Sequence, residues 1–76
     1  MLEIPQTTLK SLRERFPKGC RVELVSMNDP YSTRPSPGDK GTVMYVDDIG
    51  TIHVSWDCGS SLGVAYGEDF CRRIDG

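Results

Sequence analysis

At Pro17-Lys18-Gly19 the apolar pattern changes period, and this change limits the fold more than any other feature of the chain. Before it, Leu9, Leu12 and Phe16 recur at i, i+3 and i+7, one stripe of a short amphipathic helix. After it, Arg21-Val22-Glu23-Leu24-Val25 alternates charged and apolar residues, as a half-buried strand does. The start of the helix is less defined than its end. Pro5 suits a first turn, Thr7 and Thr8 both suit a cap, and neither threonine has the glutamate or glutamine three residues on that completes a capping box. Two turns of helix do not stand alone in water, so the segment must dock on the rest of the chain.

Beyond Cys20 the period-two pattern recurs at Gly41-Thr42-Val43-Met44-Tyr45-Val46, at Thr51-Ile52-His53-Val54-Ser55-Trp56, at residues 61–65 and at residues 70–74. With the first segment this makes five strands. The connections are one long loop from Ser26 to Lys40, turns at Asp47-Asp48-Ile49-Gly50 and Asp57-Cys58-Gly59-Ser60, and a short turn at Tyr66-Gly67-Glu68-Asp69. Eight glycines and five prolines suit such a turn-rich β domain. Five short strands hold too little apolar surface for two packed layers, and closing them on themselves removes open edges. The expectation is a mainly β fold: a helical segment at 1–19, then a small five-stranded SH3-like barrel at 20–76. The expected core is Val22, Leu24, Val43, Ile52, Val54, Trp56, Leu62, Val64, Phe70 and Ile74, with Leu9, Leu12 and Phe16 covering an open barrel end.

The 76 residues exclude a Rossmann domain, an α/β barrel or a two-lobed enzyme. A net charge of −2 argues against a free-standing basic nucleic-acid binder, but the charge is unevenly placed. Residues 1–21 carry Lys10, Arg13, Arg15, Lys18 and Arg21 against Glu3 and Glu14, whereas the remainder carries Arg34, Lys40, Arg72 and Arg73 against nine acids. A basic helical leader is therefore expected on an acidic barrel, and it can dock on that barrel partly by charge. The chain has no run of 18 apolar residues, and Met1-Leu2-Glu3-Ile4-Pro5 lacks the pattern of a signal peptide. Three widely spaced cysteines do not form a secreted disulfide framework, so reduced thiols and a cytoplasmic location are expected.

Several stretches together resemble a known family. They are Val22-Glu23-Leu24-Val25-Ser26-Met27-Asn28-Asp29-Pro30-Tyr31-Ser32, Pro37-Gly38, Gly41-Thr42-Val43, Val46-Asp47-Asp48-Ile49-Gly50-Thr51-Ile52-His53-Val54 and Trp56-Asp57-Cys58-Gly59-Ser60-Ser61-Leu62-Gly63. The resemblance is to family 4314 among small bacterial domains of unknown function, and it covers roughly residues 17–74, leaving the helix outside. It departs at Cys58, where the family usually has asparagine. It implies a bacterial, mobile-element or phage context, and it implies no activity.

Chemistry-bearing residues are few. Cys20, Cys58, Cys71 and His53 lack the paired spacing of a zinc knuckle, and the adjacent acids lack calcium-loop spacing, so no metal and no cofactor is expected. A cysteine nucleophile would need a depressed pKa, yet Cys58 adjoins the acidic Asp57, so no enzyme activity is expected. Trp56 is in phase with Ile52 and Val54 and reads as packing rather than a ligand platform. The long loop carries the most varied groups: Asn28, Asp29, Tyr31 and Arg34 on a proline-stiffened segment. These same residues also suit a purely local role in shaping the loop. The functional expectation is a non-catalytic module binding a protein partner through loop 26–40. One alternative is a nucleic-acid or ribosome-associated module using Lys10, Arg13, Arg15, Lys18 and Arg21 along phosphates. Another is a structural or oligomerisation domain, the chain being a monomer or weak homo-oligomer.

Overall fold

The computed structural model describes residues 4–28 and 35–75. A helix, α1 (Gln6–Arg15), precedes four strands: β1 (Arg21–Ser26), β2 (Lys40–Val46), β3 (Ile52–Trp56) and β4 (Phe70–Arg73). The strands form one antiparallel sheet in the order β3-β2-β1-β4. The expected five-stranded barrel is therefore corrected to an open four-stranded sheet, with β3 and β4 at opposite edges.

The reason lies in residues 61–65, expected as a strand. This segment runs back along β3 but touches its backbone through a single antiparallel bridge, Ile52 with Val64, whose N–H groups each donate to the other's carbonyl at 2.9 Å. Between Ser60 and Val64 the indole of Trp56 intervenes, and its Nε1–H donates to the Leu62 carbonyl at 2.7 Å. A side chain thus takes the carbonyl that a ladder would use. Gly63 adds no side chain to hold a sheet, so the segment stays irregular.

α1 begins at Gln6 with Pro5 as its N-cap, and no side chain caps it, so Thr7 and Thr8 lie inside the first turn. Phe16 donates to the Leu12 carbonyl at 2.9 Å before Pro17 ends the helix. Leu9 and Phe16 are buried and Leu12 is half-buried against one sheet face, as their spacing requires. Charge docks the other side of the helix: Arg13 Nη2 donates to Asp48 Oδ1 at 2.8 Å, in the turn between β2 and β3. Gly50 in that turn has φ +86°, and Ile4 and Tyr66 close over it.

The core comprises Leu9, Phe16, Cys20, Val22, Leu24, Val43, Val46, Ile52, Val54, Trp56 and Val64. Three expected members lie elsewhere. Leu62 is only half-buried because its segment is no strand. Phe70 and Ile74 are 55% and 36% exposed. The facing of β4 is set instead by Cys71 opposite Leu24 and by Arg72 opposite Glu23, where Arg72 Nε donates to Glu23 Oε1 at 2.7 Å. Val46 joins the core because the β2–β3 register shifts between Val43 and Tyr45, a bulge that turns both Val43 and Val46 inward.

Candidate functional site

The sheet's failure to close leaves a groove. On one side stand Ile52 of β3 and the bridged Val64, and on the other Phe70 and Cys71 of β4. Leu12, Arg15 and Phe16 of α1 and its C-cap lie along it, and Tyr66 and Asp69 complete the rim. Its volume is about 450 Å³ and its walls are chiefly apolar. Tyr66 and Phe70, which line it, are 39% and 55% exposed, so the groove presents two aromatic rings to solvent. Burial, and secondarily the neighbouring Cys20 thiol, push the Cys71 thiol up to about 11, so at neutral pH it is an uncharged part of the wall. Burial also raises the Cys20 thiol.

Asp69 links this groove to the long loop. Its Oδ1 accepts the Asn28 backbone N–H at 2.7 Å, and its Oδ2 accepts the Ala65 backbone N–H at 3.1 Å. The loop between β1 and β2 therefore leaves the sheet at the rim of the groove. It rejoins where Gly38 donates to the Leu24 carbonyl and Leu24 to the Asp39 carbonyl, both at 2.8 Å. Pro35 is buried, and Ser36 donates to Asp39 Oδ2 at 2.9 Å. Of the four loop residues singled out from the sequence, Asn28 is exposed beside Asp69, while Asp29, Tyr31 and Arg34 lie outside the described residues.

The five cations of the helical segment do not act as one set. Arg13 is committed to Asp48. Arg21 donates through Nη1 to Thr42 Oγ1 at 3.0 Å and to Asp57 Oδ1 at 2.9 Å. Lys10 and Lys18 are exposed, and the Arg15 guanidinium lies 5.3 Å from the centre of the Phe16 ring. Sequence reasoning missed the groove residues Tyr66, Phe70 and Cys71 as a site. The only signal for them was an aromatic residue flanking the short turn at 66–69.

On the opposite face His53 stacks on Tyr45, ring centres 4.3 Å apart. Its Nε2 lies 2.8 Å from Asp47 Oδ2, and Asp47 Oδ1 accepts the backbone N–H groups of Thr51 at 2.9 Å and Ile49 at 3.1 Å. Burial alone would raise the Asp47 carboxyl, but these hydrogen bonds outweigh it and hold the group below the usual range. Asp57 and Asp75 are lowered by Arg21 and Arg73 respectively. A carboxylate with a depressed native pKa stabilises the fold fully above its unfolded pKa of about 3.9, and that contribution disappears as pH falls through the native value. The urea midpoint is thus expected to fall as pH drops below about 4. Asp47→Asn is expected to cost about 1–2 kcal/mol at pH 7 and to flatten that acid dependence, measured as urea midpoints at pH 7 and pH 3. Among the described residues no three His, Cys, Asp or Glu side chains gather as a group that could hold a metal ion.

A helix laid on one face of an open antiparallel sheet, with an apolar groove at the unclosed seam, defines a small, mainly β domain. The chain belongs to the family described as "Domain of unknown function (DUF4314)", whose model matches residues 5–74. That match takes in α1, so the family's domain includes the helix that the resemblance over 17–74 left outside. No curated protein and no solved structure matches the chain. No helix among the described residues is long and apolar enough to cross a membrane.

Proposed function

We propose that this domain is a non-catalytic module that binds a protein partner, with loop 26–40 and the adjoining groove as its contact surface. The observation that carries the reading is the Asp69 carboxylate, which holds the loop's departure point at Asn28 against the rim of the apolar groove. A loop rich in polar and aromatic groups beside an apolar recess supplies both parts of an interface, a desolvated anchor and a polar surround. The exposed rings of Tyr66 and Phe70 add aromatic area of the kind that dominates such contacts. Two of the five leader cations are already engaged with carboxylates, which weakens the nucleic-acid alternative. The cytoplasmic, bacterial or phage setting belongs to this same proposal.

The test is selection of peptides from a random display library on the whole chain, followed by affinity measurement. The double variant Tyr31→Ala/Arg34→Ala is expected to bind the selected peptides at least about tenfold more weakly. Its melting temperature is expected to stay close to that of the parent chain. Unchanged affinity would remove the loop from the contact surface.

A further inference from the structure

The geometry points to strand addition at β4: an extended acidic peptide with one apolar side chain pairs with the free edge of the sheet and seats that side chain in the groove. This deepens the protein-binding reading above and rests on it. The backbone of β4 supplies the first part of the argument. Ile74 donates to the Arg21 carbonyl at 3.0 Å, and Arg72 stands opposite Glu23, so Ile74 and Arg72 turn their backbone groups toward β1. Antiparallel pairing alternates, so the N–H and C=O of Cys71 and Arg73 point away from β1, out of the sheet. The same alternation accounts for Leu24, opposite Cys71, which bonds toward β2 through Gly38 and Asp39. No backbone bond among the described residues covers Cys71 or Arg73 on that outer side. Such an edge is a template for another chain.

The groove supplies the second part. Cys71 lines both the open edge and the recess, so a strand laid on that edge carries its side chains past Leu12, Phe16 and Val64. Side chains alternate along a strand, so those on one face enter the recess while their neighbours face solvent.

Charge supplies the third part. Arg72 and Arg73 of β4 are already paired with Glu23 and Asp75, whereas Arg15 stands at the groove rim with no carboxylate partner among the described residues and supplies the charge that an incoming strand would meet. Asp69 is the acid on that rim, and both of its oxygens already accept backbone N–H groups. A strand bearing Asp or Glu on either side of its apolar anchor complements this arrangement; a basic strand does not.

Peptides selected on the whole chain from a random display library provide the test. The enriched sequences are expected to share an apolar residue flanked by acids. Each is then synthesised in two backbone N-methylated forms, with methyl groups on alternate residues and the two sets offset by one. Pairing on one edge predicts that one form loses affinity at least about tenfold while the other stays within about threefold. Arg15→Glu is expected to weaken the parent peptide by about tenfold, and hydrogen exchange at the Cys71 and Arg73 amides is expected to slow in the complex. Peptides that depend on Tyr31 and Arg34 yet tolerate both N-methylated forms would overturn strand addition and leave the protein-binding reading standing. Failure to enrich any binder would overturn both.

Discussion

Trp56→Ala is expected to remove a large part of the stability of the fold and to lower its urea midpoint more than any other substitution in the core. The indole is 2% exposed and lies in the core with Val22, Val43 and Val54. Truncating a buried tryptophan costs about 3–5 kcal/mol through lost transfer energy and the cavity left behind. A domain of this size has a total stability of roughly 4–11 kcal/mol, so the loss takes a large part of it. The damage also spreads along the chain. Trp56 Nε1–H is the group that holds the Leu62 carbonyl, and with it the irregular segment leading to the Ile52–Val64 bridge. Trp56→Phe keeps most of the apolar volume and loses that hydrogen bond, so it is expected to cost about 1–2 kcal/mol and remain folded. Because Trp56 is the sole tryptophan of the chain, unfolding is best followed by far-ultraviolet circular dichroism in urea. A Trp56→Ala midpoint within a few tenths molar of the parent would contradict the packing role and reopen a surface role for the ring.

The helix stripe, the change of period at Cys20 and the existence of all four strands were legible because each follows a simple repeat. Leu9 and Phe16 are buried at the spacing that the sequence shows, and Val22, Leu24, Ile52 and Val54 alternate as written. The errors arise where the repeat breaks. Strict alternation from Val43 places Tyr45 inside and Val46 outside, whereas the bulge at Met44 reverses this and leaves Tyr45 56% exposed. In β4, alternation alone cannot choose between the face of Phe70 and the face of Cys71. The Arg72–Glu23 ion pair and the Leu24–Cys71 pairing decide it, and both are contacts across about fifty residues of sequence. Residues 61–65 have a strand's apolar spacing, but the ladder they would join is pre-empted by an indole that periodicity does not register.

The candidate site was less legible for the same physical reason. The groove exists because β3 and β4 do not meet, and no local motif encodes a gap between distant strands. Arg15 reads in sequence as one of five leader cations, yet folding separates it from Arg13 and Arg21 by giving those two acid partners. Asp69 reads as an ordinary turn residue, yet it joins the loop at Asn28 to the groove rim. The charge asymmetry was legible in outline, and it takes a concrete form in the Arg13–Asp48 pair between the leader and the sheet.

Gly41→Ala is expected to be the most damaging single-atom addition to the sheet. Gly41 sits on β2 between two partners, opposite Val22 on β1 and Trp56 on β3. A β-carbon there would lie 2.6 Å from Val54 Cγ1, 2.8 Å from the Ser55 carbonyl oxygen and 3.0 Å from Trp56 Cα. The first contact belongs to a side chain that can rotate; the other two belong to the backbone of β3 and cannot be relieved without moving the strand. Overpacking of this kind costs about 1–3 kcal/mol, and more where backbone must shift. A fall in melting temperature of about 10–20 °C is expected for a domain this small. Val54→Ala separates the two sources of strain. If the side-chain contact dominated, the double variant Gly41→Ala/Val54→Ala would recover stability relative to Gly41→Ala. The backbone contacts predict the opposite, because removing the buried Val54 methyls adds a cavity and leaves the Ser55 carbonyl where it is. Urea denaturation of the four proteins in this cycle decides between them, with the double variant expected to be the least stable.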